Sequence, residues 1–297
     1  MTAVFPPSLR GSPIVRAVAP AGPVEREAVL RGLRMLAARG FEVSFAANLD
    51  ARTGYFAGDD GCRLEELQTA FDDADVRAIW AARGGYGTTR ILDRLDFDRF
   101  ARDPVWVVGS SDLTALLLEL WARHRIVSIH GPMLARLGET DERDLDAATA
   151  LLFGASPAPV ESLSPLAEGF ARGPLVGGNL CVIAHCLGAL PPEFARGAIL
   201  FLEEVSERPY RVDRCLVQLE RAGVFSQVAG VVLGEFTACD PNPDGVTVDD
   251  VLRERFSRLG IPVASGYPAA HGARNLPFLH GATAEIEVTS SRAALRQ

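Results

Sequence analysis

The stretch Gly109-Ser110-Ser111-Asp112 carries the residues best suited to covalent chemistry. An apolar run, Val105–Val108, precedes it. Leu113, Leu116, Leu117, Leu120 and Trp121 follow at helical spacing. The pattern reads as strand, tight turn and helix. It holds a serine at a helix N-terminus, where the next backbone N–H can donate to a developing oxyanion. Gly-x-Ser-x-Gly is only half met, because Leu113 stands where the second glycine would be. A serine or aspartate there also suits a plain helix cap, and either serine could be the reactive one.

A serine nucleophile needs a base and a group to orient that base. The chain has five histidines: His124, His130, His185, His271 and His280. His124 ends the helix after the turn, about 18 Å from the serine at ~1.5 Å per residue. His185 lies in an apolar helix and reads as a core or interface residue. His130 ends an expected strand and could line the same cleft, while His271 lies in the loop Gly266–Gly272, the kind of segment that carries catalytic groups. Among the acids, Glu203 and Glu204 abut the apolar run Ile199–Leu202, so at least one must be paired or hydrogen-bonded. It could orient a histidine, or bridge to Arg208, Arg211 or Arg214.

These groups must be held by a scaffold. Strands are expected at 14–19, 41–45, 76–81, 105–109 and 126–129, with amphipathic helices between them, which predicts a doubly wound, mostly parallel sheet. Ligands bind outside the carboxyl ends of such strands. The loops Arg83-Gly84-Gly85-Tyr86-Gly87, 109–112 and His130–Met133 would then lie in one row. The glycine loop fits neither a dinucleotide fingerprint nor a Walker loop, and better suits close backbone approach to a ligand. The division expected is an N-terminal α/β domain over 1–154, a proline-bearing linker over 155–173, and a C-terminal α/β domain over 174–297. Within the last, helices are expected from Leu180, over 210–222 and 248–259. Strands are expected at 198–202 and 228–236, near Val263 and at 282–288.

Composition narrows the function classes. All 30 basic residues among 297 are arginine, which removes Schiff-base and P-loop lysine chemistry. A net charge of -8 with no arginine run argues against a nucleic-acid partner. The five cysteines are scattered without a Cys-x-x-Cys pair, suggesting neither a disulfide framework nor a zinc site. No apolar run approaches a membrane span, so no membrane partner and a cytoplasmic location are expected.

Taken in order, Arg83-Gly84-Gly85-Tyr86-Gly87, Ser111–Leu116, His130-Gly131-Pro132-Met133, Gly178-Asn179-Leu180, Leu202-Glu203-Glu204 with Tyr210–Arg214, and His271 resemble the LD-carboxypeptidases of serine peptidase family S66. The resemblance spans nearly the whole chain. It implies Ser111 as nucleophile, Glu203 as orienting carboxylate, His271 as general base, and the backbone N–H groups of Gly85 and Asp112 as oxyanion hole. It also implies two α/β domains with the active site in the cleft between them, a homodimer, and no cofactor or metal. The implied substrate is a murein peptide ending in a D-amino acid. An immunity-type hydrolase of aminoacyl-nucleotide antibiotics and a catalytically silent binding relative are the alternatives. Departures from the family pattern are Ala21 for serine, Ser110 for an aromatic, Ala270 for glycine before His271, and the run Asn275–Gly281.

Overall fold

The alternating apolar runs resolve into two β structures in the computed structural model, which describes residues 2–46, 49–239, 243 and 245–297. In the N-terminal half, β1 (Ile14–Val18), α1 (Arg26–Ala37), β2 (Glu42–Phe45), α2 (Asp60–Asp72), β3 (Val76–Ala81), α3 (Asp98–Arg102), β4 (Trp106–Gly109), α4 (Thr114–His124), β5 (Ser128–His130) and α5 (Glu142–Leu152) follow in order. Strands β5, β4, β3, β1 and β2 lie side by side and are parallel. Alternate residues of β3 and β4 sort to opposite faces, as a pleated strand requires. Ala78, Trp80, Trp106 and Val108 pack with Val29 and Leu33 of α1 and Leu145 of α5. Ile79, Ala81 and Val107 pack with Leu67 of α2 and Leu113, Leu116 and Leu120 around α4. Both faces are covered, which explains the unbroken apolar character of these strands.

The second half is β6 (Val160–Ala167), β7 (Gly169–Asn179), α6 (Leu180–Cys186), β8 (Ile199–Val205), α7 (Pro209–Arg221), β9 (Gly230–Thr237), α8 (Val248–Phe256), β10 (Val263–Ser265), β11 (Phe278–His280), β12 (Thr283–Val288) and β13 (Ala293–Arg296). Seven of these strands close a barrel in the order β10-β6-β13-β12-β7-β8-β9. Ile199 and Phe201 point into the barrel, whereas Leu200 and Leu202 pack with the layer that includes Val212, Leu216 and Phe256 of α7 and α8.

Two expectations need correction. Residues 160–167 and 169–173, read as linker, are staves of the barrel. In β6 only Leu163 is buried, so the period-2 signal of a strand is missing. The short strand β11 belongs to the other sheet: it pairs antiparallel with β5, Phe278 opposite His130. The C-terminal half thus supplies an edge strand to the N-terminal sheet.

That junction encloses two histidines. His130 is fully buried, stacks on Phe278 at 4.8 Å and meets the edge of Phe201 at 5.2 Å. Neither of its ring nitrogens has a hydrogen-bond partner among the described residues, and it does not line the cleft as its place at a strand end suggested. His280 Nε2 accepts from Gly177 N at 3.0 Å, which fixes that ring in its neutral form. Burial lowers both pKa values to about 3, from 6.5. Both rings are neutral when folded but take up a proton when unfolded below about pH 6.5, so stability falls as pH drops from 6.5 toward 3. Each contributes a loss on the order of 2 kcal/mol at pH 5. His130→Phe keeps the aromatic seam and removes one titrating group. Urea unfolding at pH 7 and pH 5 is expected to show a midpoint that falls less in the variant than in the wild type; equal falls would refute this account.

Candidate active site

The turn between β4 and α4 puts Ser111 at φ 58°, a left-handed conformation unusual for a residue with a side chain. The glycine loop after β3 holds it there. A Cβ on Gly84 would stand 2.7 Å from Ser111 Cβ and 2.8 Å from its Oγ, so only glycine lets this backbone pass. Asp112 is buried and its carboxylate accepts from Thr88 N at 2.8 Å, tying the glycine loop to the helix start. Burial raises the Asp112 pKa, opposed by its hydrogen bonds from Thr88. On the other side of the loop, buried Arg63 donates to Gly87 O at 2.7 Å and Pro20 O at 2.6 Å. Gly85 N–H has no hydrogen-bond partner among the described residues.

The carboxylate follows from the pleat of β8. Glu203 continues the barrel-facing series of Ile199 and Phe201, and its Oε2 lies 3.0 Å from His271 Nδ1. Glu204 continues the helix-facing series. It accepts from Asn179 Nδ2, Cys181 N and Val205 N, all at 2.8 Å, and so anchors the start of α6. The arginine bridge belongs to Glu207, which pairs with Arg211 at 2.7 Å. Burial alone would lower the His271 pKa, but the hydrogen bond and charge of Glu203, with Glu204, outweigh it and leave the value raised.

The His271 loop is fastened to the N-terminal half. Asp144, fully buried in the first turn of α5, accepts from Arg274 Nε and Nη2 at 2.9 and 2.8 Å and from Asn275 N at 2.7 Å. Arg136 Nη2 donates to His271 O at 3.3 Å. Asp144 was not legible as a site residue, because an acid in a first helical turn reads as an ordinary response to the helix dipole. A second tie crosses at α4. Asn179 N donates to Thr114 Oγ1 at 3.0 Å, and a Cβ on Gly178 would strike that hydroxyl at 2.3 Å.

Ser110, Ser111, Gly85 and His271 line one cavity of about 330 Å³. No hydrogen bond joins Ser111 Oγ to His271 among the described residues. Ser110 is buried in extended backbone, its Oγ accepting from Asn275 Nδ2 at 3.4 Å, while Ser111 is half-buried and also lines a second cavity of about 480 Å³ with Asp112 and His185. His185 is exposed on α6 instead of sitting in the core, its Nδ1 bonded to Cys181 O at 2.6 Å. His124 stacks on Phe97 at 5.0 Å, away from both cavities.

The N-terminal domain of LD-carboxypeptidases matches residues 15–131, and the C-terminal domain matches 172–286. The chain belongs to that family. It is 34% identical over 286 residues to the murein tetrapeptide carboxypeptidase of Pseudomonas aeruginosa, covering 92% of each chain. The crystal structure of a muramoyltetrapeptide carboxypeptidase from Oxalobacter formigenes superposes with a TM-score of 0.82 at 31% identity, covering 95% of this chain and 97% of that one. An MccF-like protein from Bacillus anthracis superposes with a TM-score of 0.85 over 99% of this chain and 100% of its own, and at 23% identity shares the fold. Among the described residues, no helix is long and apolar enough to cross a membrane.

Asp144→Ala would leave the Arg274 guanidinium without its main partner and the loop without its anchor. A loss of roughly 1–3 kcal/mol is expected in urea unfolding, with faster amide exchange over residues 271–276. Unchanged exchange in that segment would show that other contacts hold the loop.

Proposed function

We propose that this chain is a serine carboxypeptidase that hydrolyses an amide between an L-centre and a terminal D-amino acid. One observation carries the reading: a serine in strained left-handed backbone shares a cavity with a histidine already paired to a buried carboxylate. In this reading Glu203 fixes the His271 tautomer with Nδ1–H toward itself, leaving Nε2 to take the Ser111 proton. Ser111 Oγ attacks the scissile carbonyl, and the N–H groups of Gly85 and Asp112 hold the oxyanion. His271 returns the proton to the leaving amine, and water then releases the acyl group by the same sequence. The likeness above 30% to murein and muramoyl tetrapeptide carboxypeptidases supports a murein tetrapeptide as substrate. The likeness to the MccF-like protein, at 23% identity, carries the fold alone and lends the aminoacyl-nucleotide alternative no support.

Incubating the protein with murein tetrapeptide is expected to release the terminal D-amino acid, seen by mass spectrometry, and Ser111→Ala should abolish the release. An intact tetrapeptide with wild-type protein would sink the substrate assignment; cleavage of an aminoacyl sulfamoyl nucleotide instead would favour the alternative. The base must be neutral, so kcat/KM should fall on the acid side with a pKa above the usual 6.5 of histidine. Glu203→Gln removes the group that raises this pKa. The acid limb should move to lower pH, and the rate should drop by about 10³- to 10⁴-fold. A limb that stays in place would mean that another group titrates.

A further inference from the structure

We propose that Arg83 recognises the free carboxylate of the substrate's terminal residue, and so restricts the site to removing one residue from a chain end. The proposal rests on the serine-carboxypeptidase reading above. The imidazolium formed from His271 must protonate the leaving amine, so the leaving residue lies on the His271 side of Ser111. Two cavities meet at Ser111, and only the one of about 330 Å³ includes His271. A terminal amino acid placed there carries its carboxylate roughly 4 Å from the scissile carbon, within one residue's length of backbone.

The charges in the two cavities agree with that placement. The first holds two cations, Arg83 and Arg136; the second is bordered by Asp112, Glu204 and Glu207, which would repel a carboxylate. Arg136 is engaged, pairing with Glu139 at 3.2 Å and donating to His271 O, and is a positioning residue for that loop. Arg83 forms no ion pair among the described residues. Its Nη1 donates to Pro23 O at 2.7 Å, which steadies the guanidinium while leaving its other N–H groups for a ligand. A guanidinium fork matches a carboxylate in two parallel hydrogen bonds, as an ammonium does not. Arg83 also stands two residues before Gly85. One loop would therefore set both the oxyanion contact and the carboxylate contact, fixing the scissile carbonyl against Ser111 by its distance from the chain end.

The test compares a tetrapeptide ending in D-alanine with the same peptide ending in D-alaninamide, for wild type, Arg83→Gln, Arg83→Lys and Arg136→Gln. Wild type is expected to prefer the acid by about 10- to 100-fold in kcat/KM, the range for losing a charge-assisted hydrogen bond, mostly through KM. Arg83→Gln should collapse that ratio toward one, Arg83→Lys should restore part of it, and Arg136→Gln should lower kcat on both peptides while preserving it. A preserved ratio in Arg83→Gln, with both peptides slowed equally, would overturn the proposal and assign Arg83 a structural role at Pro23. Collapse in Arg136→Gln alone would overturn it in favour of Arg136. A wild-type enzyme that releases nothing from either peptide overturns the carboxypeptidase reading, and this inference with it.

Discussion

Helix α4 is buried on both sides, and the site depends on that constraint. Leu113, Leu116, Leu117 and Leu120 face the N-terminal sheet, while Ala115, Leu118 and Ala122 join the apolar layer around the barrel. A helix with apolar residues packed on two sides cannot shift toward one neighbour without exposing apolar surface to water on the other. Its first turn is therefore fixed between the two halves of the chain. Thr114 adds a polar tie to Asn179, and Asp112 another to Thr88. These ties hold Ser111 in backbone that a side-chain-bearing residue rarely adopts. Strain of this kind persists only where surrounding contacts over-determine it, and here the packed helix and the close-passing Gly84 do so.

The partner groups arrive by a different route. Glu203 is aimed by the alternation of β8, which sends one of two adjacent acids into the barrel and the other toward α6. His271 is aimed by a loop whose far end is anchored on α5 of the other half. The triad proposed for this chain thus combines an element locked by apolar packing, an element locked by strand register and a loop locked by an ion pair. Strand β11 closes the arrangement by crossing into the N-terminal sheet, with His130 and Phe278 stacked where sheet and barrel meet.

Much of this was legible in the residues because it is encoded locally. The parallel sheet, the helix after Ser111 and the helix capped by Asn179 all have short-range periodic or capping signals. Strand β6 did not, since one buried leucine in eight residues makes no alternation. Strand β11 is three residues long and finds its partner, β5, some 150 positions earlier, which no local pattern reports. The choice between Glu203 and Glu204 needed the strand's phase relative to the barrel. The choice between His130 and His271 needed the knowledge that the end of β5 is roofed by Phe278 and Phe201. Asp144 stayed hidden because its two roles, helix start and loop anchor, look the same in sequence.

The two-domain α/β fold is shared with an MccF-like protein at 23% identity, so the fold by itself does not select a substrate. The proposed triad requires that one hydroxyl, on Ser111 and not on Ser110, is activated by the His271–Glu203 pair. Reaction with a fluorophosphonate, followed by peptide mapping, measures this directly. A single adduct on Ser111 is expected in the wild type, and loss of that adduct in His271→Ala. An adduct on Ser110, or equal labelling of Ser111 without His271, would contradict it.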